Sequence, residues 1–412
     1  MDRYLSEFSP FKDGVRNDSL ILSKAIEETS SKGDRLIIEE GIYKCGTIYL
    51  KNNTNIYLKK GAIIKLSDNE EDFYFFDSNN KIITRNTWED CFYNGKPSKY
   101  YWFGQDLENI TIDGEGIIDG SEELFYGVIN KDHIEGSIYP RTPLIYLENC
   151  KNVKLTNVKL QRSAFWTVHL VGCDTVLIDS ININNNPIFT NSDGIDPDHS
   201  KNVKIINSII SCADDCIVLK TTNFSSKYGE CENIEVSNCI LKSTCAAIKI
   251  GTESFNDFNN IYVHDCNIID TNRGISIMLR DGASLKNARF ENVKIQSHLV
   301  NPLFWWGRSE VISITNIKRN NDSVLGNINN LVFRNIDSQS ENGITIVGEN
   351  LGNIEFDNVV LNILNKTKWP KKDLDLRPSI YNVVDGTFHD LYVKGKPNLS
   401  INNCNFKDIV KE

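Results

Sequence analysis

One short pattern, an asparagine followed by alternating apolar residues, recurs along this chain and limits what it can become. The copies are ENITIDGEGII at 108, KNVKLTNVKL at 151, KNVKIINSII at 201, ENIEVSNCIL at 232, NNIYVHDCNI at 259, KNARFENVKI at 286, NNLVFRNIDS at 329 and GNIEFDNVVL at 352. Each copy reads as a strand, a one-residue corner and a second strand, with period-two alternation as in Val203, Ile205 and Ile209. No window of helical length keeps apolar residues at three- and four-residue spacing, which excludes helical solenoids. Taking Asn152, Thr175, Asn202, Asn233, Asn260, Asn287, Asn330 and Asn353 as anchors, the steps are 23, 27, 31, 27, 27, 43 and 23 residues. A coil of that length holds three short strands, and stacking such coils pairs each strand with its neighbours about 4.8 Å above and below. The expectation is an all-β parallel β-helix. Asparagine suits its corners because it tolerates the left-handed backbone and can bond to the same residue one coil on.

A solenoid needs its ends covered. Near the amino terminus one helix is expected, capped by Asn17 or Asp18, with Leu20, Ile21, Ala25 and Ile26 on its apolar face. The extended tail after Asn398 would close the other end. The chain therefore reads as one domain over 1–412: cap and first coils over 1–66, coils with loop insertions over 67–142, central coils carrying an active face over 143–298, and terminal coils with a cap over 299–412. A net charge of -10 without a basic stripe excludes nucleic acid as a partner. No apolar run is long enough for a membrane helix, so no membrane partner is expected. The start, MDRYLSEFSPFKDG, has neither basic flank nor apolar signal core, so a cytoplasmic location is expected. The eleven cysteines lack paired CxxC spacing and read as reduced core thiols.

Two segments break the bland repeat, FTNSDGIDPDHS at 189 and CADDCIVLK at 212. Asp193 precedes Asp214 and Asp215 by 21 and 22 residues, about one coil, so three carboxylates should crowd one face. Crowding raises at least one pKa, leaving one carboxyl able to give a proton while another accepts one. That is the requirement for hydrolysing a glycosidic bond. The rival reading is a calcium site using Asp193, Asp196, Asp198, Asp214 and Asp215, which no glycine-punctuated calcium loop supports.

NSDGID followed one coil later by ADDCI, with GEGIIDG at 114 and SAFWTVHLVGC at 163, resembles the polygalacturonase family of glycoside hydrolases, family 28, over most of the chain. The resemblance implies a right-handed parallel β-helix and hydrolysis of pectic polysaccharides with inversion. It implies Asp214 as general acid, Asp193 and Asp215 positioning and deprotonating water, and Asn191 orienting Asp193. The sequence also departs from that family. Cys245, Ala246 and Ala247 stand where it carries Gly-His-Gly, and Ser276, Ile277 and Met278 where it carries Arg-Ile-Lys to grip a galacturonate carboxylate.

Replacement sugar contacts are sought nearby. Lys249 either points onto the active face or is a solvated strand residue, and Glu253 follows it in AIKIGTES. Arg273 and Arg280 lie one coil further, Arg280 either binding sugar or pairing with Asp281. In FWWGRSE at 304, Trp305 or Trp306 would offer a flat apolar face with Arg308 and Glu310 bonding hydroxyls, or both tryptophans plug the solenoid side. His169, one coil before Asp193, would bond a hydroxyl or serve as a corner residue. Insertions at 67–105 and 121–142, rich in aromatics such as Phe73, Trp88, Phe92, Tyr93, Tyr100, Tyr101 and Trp102, would wall one end of a groove. The expectation is an inverting exo-glycosidase on pectin-derived oligosaccharides of galacturonate or rhamnogalacturonan type, needing no cofactor and no metal. The rivals are a β-helix lyase or uronate epimerase, a glycosidase for a non-pectic sugar, and a solenoid that only binds carbohydrate.

Overall fold

The computed structural model describes residues 1–76, 82–84, 100–136 and 141–412; Trp88, Cys91, Phe92 and Tyr93 lie outside these. The coil beginning at Lys201 displays the plan of the rest. It runs through strand Lys201–Ile206, a left-handed corner at Asn207, strand Ile209–Cys212, a turn and strand Ile217–Thr221. Each strand pairs in parallel with its counterpart in the next coil, at Cys231–Ser237, Ile240–Ser243 and Ala246–Ser254. The first two faces join through the one-residue corner into a 22-stranded sheet, and the third forms a 12-stranded sheet. The all-β parallel β-helix expected from the repeat is what the chain forms.

Alternation decides which residues point inward, and parallel pairing stacks them in columns. One column runs Ile110, Val153, Val176, Val203, Ile234, Ile261, Ala288, Leu331 and Ile354. In another, Phe290, Phe333 and Phe356 stack at 5.0 and 5.2 Å between ring centres. Each buried aliphatic side chain in such a column contributes about 1.5–3 kcal/mol. The ten cysteines among the described residues are unpaired thiols, nine of them buried.

The asparagine corners do what their side chains allow. Asn152, Thr175, Asn202, Asn233, Asn260, Asn287 and Asn330 all have φ between 53° and 60°. Along this edge Asn152 donates to Asn109 at 2.7 Å, Asn233 to Asn202 at 3.0 Å and Asn260 to Asn233 at 2.8 Å. A second ladder links Asn335 to Asn292 and Asn358 to Asn335.

Helix α1, Ser19–Lys32, covers the amino-terminal end of the core with Leu22, Ala25 and Ile26 buried. Leu20, expected on its apolar face, is 50% exposed instead, because the buried stripe passes through Leu22, two positions later. Asn17 accepts from the Ser19 N–H, while Asp18 accepts from Phe11 and Lys12 outside the helix. At the other end, Asn398–Asn402 and Ile409–Lys411 add last rungs to the two sheets. The aromatics expected to wall a groove take a different place: Phe73, Tyr101 and Trp102 are core residues, and Tyr100 packs on Phe103 and Tyr146.

The 12-stranded sheet positions the site. Its inward column is Ile145, Val168, Ile195, Ile217, Ile248, Ile275, Ile312 and Ile344. Alternate residues therefore face outward, among them His169, Asp196, Lys249, Ser276, Ser313 and Thr345. An uncovered outer face would leave them wet, yet all are buried. Part of the cover is a strap, a hairpin of Asp373–Asp375 and Val383–Asp385 with the loop between. It receives hydrogen bonds from Arg273 and Arg280 on the strand Arg273–Leu279 and its end.

Candidate active site

The turns that lead into successive strands of this sheet stack as the strands do. The Thr167 N–H donates to the Asp193 carbonyl, that of Gly194 to Asp215, and that of Cys216 to Ala246, each at 2.9–3.0 Å. Asp193 and Asp215 thus occupy the same place on neighbouring rungs, about 4.8 Å apart along the axis, with Asp214 one residue before. Gly194 makes this approach feasible: a Cβ there would lie 2.3 Å from the Cys216 carbonyl oxygen. The glycine of NSDGID is required by the packing of the two aspartate rungs.

Two lysines and a glutamate complete the cluster. Lys249 Nζ sits 2.7 Å from Asp215 Oδ2, while the Ala246 N–H donates to Oδ1 at 3.2 Å. Lys220 Nζ lies 3.1 Å from Glu253 Oε2, 3.7 Å from Asp196 and 3.9 Å from Asp193. Glu253 reaches Lys220 through a bulge. Leu219 and Thr221 pair with Ile250 and Ser254, so Gly251, Thr252 and Glu253 stand proud of the ladder. Asn191, expected on Asp193, instead donates its amide toward Asp214 Oδ2 at 3.5 Å, and its own oxygen accepts from Arg141 at 2.8 Å.

Burial and crowding set the proton affinities. Burial, then the neighbouring Asp215 charge, raises Asp214 to about 6, against the pull of Lys249 and Lys220. Asp193 is pushed well above the ordinary carboxylate range by burial, then by Asp214 and Asp196. Asp196 is raised by burial against the pull of Lys220. Burial would raise Glu253 too, but Lys220, Arg319 and Lys249 outweigh it and hold it at about 2. The site therefore contains a carboxyl that keeps its proton near pH 6 beside a carboxylate pinned by an ammonium, the two states that acid-base catalysis uses.

These groups open into a cavity of about 450 Å³, lined also by Trp166, His133, Thr252, Phe304, Trp305, Trp306, Arg319 and Pro378. One wall is built from two distant segments. Trp305 Nε1 donates to the Asp132 carbonyl at 2.8 Å, Asn301 donates to the Asp132 carboxylate at 3.0 Å, and His133 stacks on Phe304 at 4.8 Å. Trp306 is half-buried under Arg377.

Of the proposed sugar contacts, Asn191, Lys249, Glu253, Trp305 and Trp306 line this cavity and five others do not. His169 is 1% exposed and bonds Asp198 at 3.2 Å, locked between Tyr146 and Trp166. Arg273, also 1% exposed, forks onto Glu310 and bonds the Asp375 carbonyl, which removes Glu310 as well. Arg280 donates to the carbonyls of Leu279, Thr315, Leu376 and Pro378, while Asp281 is held by Arg319 rather than by Arg280. Arg308 pairs with Asp373 and Asp375. These arginines anchor the strap and are hidden beneath it.

Lys220 went unread in the sequence although it carried a signal, a charge ending the apolar run CIVL one coil after Asp198. It also answers the calcium reading, because its ammonium stands among Asp193, Asp196 and Glu253, while Asp198 faces His169 and His199. Asp214, Asp215 and Cys245 do bring ligand atoms within 4.8 Å of one another, so a metal requirement is a matter for direct test.

A model of the family described as "Glycosyl hydrolases family 28" matches residues 78–375. A "Probable polygalacturonase" of Vitis vinifera is 25% identical over 284 residues, covering 66% of this chain and 56% of the grapevine one. An "Endo-polygalacturonase" of Pectobacterium carotovorum subsp. carotovorum is 24% identical over 319 residues, covering 75% of this chain and 74% of its own. Among solved structures, the hyperthermoactive exopolygalacturonase from Thermotoga maritima superposes with a TM-score of 0.72 at 21% identity, covering 98% of this chain and 92% of that one. This last likeness is one of fold.

Proposed function

Since the chain belongs to glycosyl hydrolase family 28, matched over residues 78–375, we propose that it is an inverting O-glycosyl hydrolase releasing single sugars from the ends of pectin-derived oligosaccharides. The observation that carries the reading is the Asp214 carboxyl, raised to about 6, next to Asp215 pinned at 2.7 Å by Lys249. In the proposed step protonated Asp214 gives its proton to the glycosidic oxygen as the C–O bond breaks. A water held between Asp193 and Asp215 attacks the anomeric carbon from the opposite face, and its proton passes to Asp215. The leaving chain departs with the proton of Asp214, and solvent returns the carboxyls to their starting states.

Release of terminal sugars is favoured by the cover over the sheet. Beyond the rung of Lys249 the outer face is sealed by the strap, and on the preceding rungs His169 and Tyr146 are likewise buried. A polymer running along the sheet would meet packed protein on both sides of a cavity two to three rungs long. The names of the relatives, polygalacturonases of both endo and exo type, support a pectic substrate.

The test is a digest of homogalacturonan and rhamnogalacturonan oligosaccharides, read by mass and by the anomer of the first product in proton NMR. Expected are a gain of one water, single sugars as first products, inversion, full activity in EDTA, and loss of activity in Asp214→Asn. Products absorbing as unsaturated uronates, or dependence on a divalent cation, would replace this reading with the lyase one.

A further inference from the structure

The cavity that holds the carboxylates is poor in what a charged sugar needs. Its acidic lining groups are Asp193, Asp214, Asp215, Glu253 and the exposed Glu135, against three cations, Lys220, Lys249 and Arg319. The two lysines are already committed, and Arg319 is held through Nε and Nη2. Lys249 is on Asp215 at 2.7 Å, Lys220 is on Glu253 at 3.1 Å with Asp193 and Asp196 behind it, and Arg319 forks onto Asp281 at 2.6 and 2.8 Å. Lys220 and Lys249 are buried with their partners, so turning either toward a ligand would strand a buried carboxylate.

The unused hydrogen-bonding capacity is of the opposite kind. Asp193 Oδ1 has no partner among the described residues, and Glu253 Oε1 accepts only from Thr252 within the wall. Glu253, held ionised by Lys220, Arg319 and Lys249, is an acceptor awaiting a donor, whereas the raised Asp193 carboxyl can also give a hydrogen bond. A sugar hydroxyl can donate to Glu253 and accept from Asp193, whereas a uronate carboxylate cannot donate to Glu253 and adds one more negative charge beside it. The remaining wall, Trp166, Phe304, Trp305 and Trp306, suits the apolar face of a pyranose. The sequence agrees, since Ser276, Ile277 and Met278 supply no cation on the following rung.

Resting on the hydrolase reading above, we propose that the terminal sugar seated in this cavity is an uncharged pyranose, not a uronate. Among pectic substrates this selects chains whose exposed end is a neutral sugar.

The experiment compares oligogalacturonates, their carboxyl-reduced counterparts with the same linkages, and rhamnogalacturonan fragments ending in either sugar type. Neutral-ended substrates should be cleaved with kcat/KM about 100-fold or more above uronate-ended ones, with an uncharged monosaccharide released. Equal or faster release of galacturonate overturns the proposal while leaving the hydrolase reading intact. Binding to Asp214→Asn, followed by tryptophan fluorescence with galacturonate, galactose, rhamnose and xylose, decides the matter without turnover. Tighter binding of a neutral sugar supports the proposal; tighter binding of galacturonate, or of none, overturns it. If nothing is cleaved but a neutral sugar binds best, the hydrolase reading fails and this one stands. Glu253→Gln should free Lys220 and narrow the discrimination about tenfold; unchanged discrimination would count against the argument.

Discussion

Asp214→Asn separates what this carboxyl does in catalysis from what it costs the fold. Burial and Asp215 raise its pKa from 3.8 to about 6. A carboxyl raised on folding binds protons more tightly in the native state, so stability falls as pH rises from 3.8 to about 6 and stays lower above that. At about 1.4 kcal/mol per pH unit the loss is about 3 kcal/mol. Asparagine keeps the shape of the protonated carboxyl and carries no charge. The variant should match the parent in urea melts at about pH 3 and exceed it by up to about 3 kcal/mol at about pH 8. Over the same range the parent's kcat/KM should fall above about pH 6, and the variant should lose 10²- to 10⁴-fold of activity together with that limb. An equal stability difference at both pH values, or a basic limb preserved in the variant, would refute the reasoning.

Asp375→Asn removes the carboxylate that receives Arg308, Arg377 and the Gly307 N–H. It should cost about 3–5 kcal/mol at neutral pH. Burial would raise Asp375, but Arg377, Arg273 and Arg308 hold it at about 2, so the gap to the parent should close as pH falls through 3.8 toward 2 in denaturant melts. A loosened strap should also let longer fragments appear among the first products, read by mass. Asn233→Ala removes the amide that eases a left-handed φ of 57° and breaks two ladder bonds, to Asn202 and from Asn260, so it should lower stability by about 1–2 kcal/mol in urea. Asn233→Gly should recover about 1 kcal/mol of that in the same assay.

What the sequence made legible follows from how the fold stores information. Strand alternation and the asparagine corners repeat with each coil, so the columns and the neighbouring places of Asp193 and Asp215 could be read from spacing alone. Arg273, Arg280 and Arg308 were misread because their partners, Asp375, Leu376, Pro378 and Asp373, lie 65 to 102 residues away on a strap that follows no period. His169 looked like a groove residue because its rung is right, but Tyr146 and Trp166 close over it. The wall joining Asp132 to Asn301 and Trp305 spans 169 to 173 residues, and spacing carries no trace of it. Glu253 meets Lys220 only through the bulge, which shifts its rung by an amount that alternation cannot foretell.

The left-handed corners have a bearing on how such a site can change through time. Each corner resets the angular phase of the chain, so what happens between two corners does not rotate the next coil. Asp215 and Ala246 stay in register although the segment Asn223–Tyr228 is spliced between their strands. Loops can therefore lengthen, shorten or be exchanged while the aspartates remain aimed. A lineage built on this scaffold is free to rewrite the walls of its cavity, and with them the sugar it accepts, without reassembling the chemistry each time.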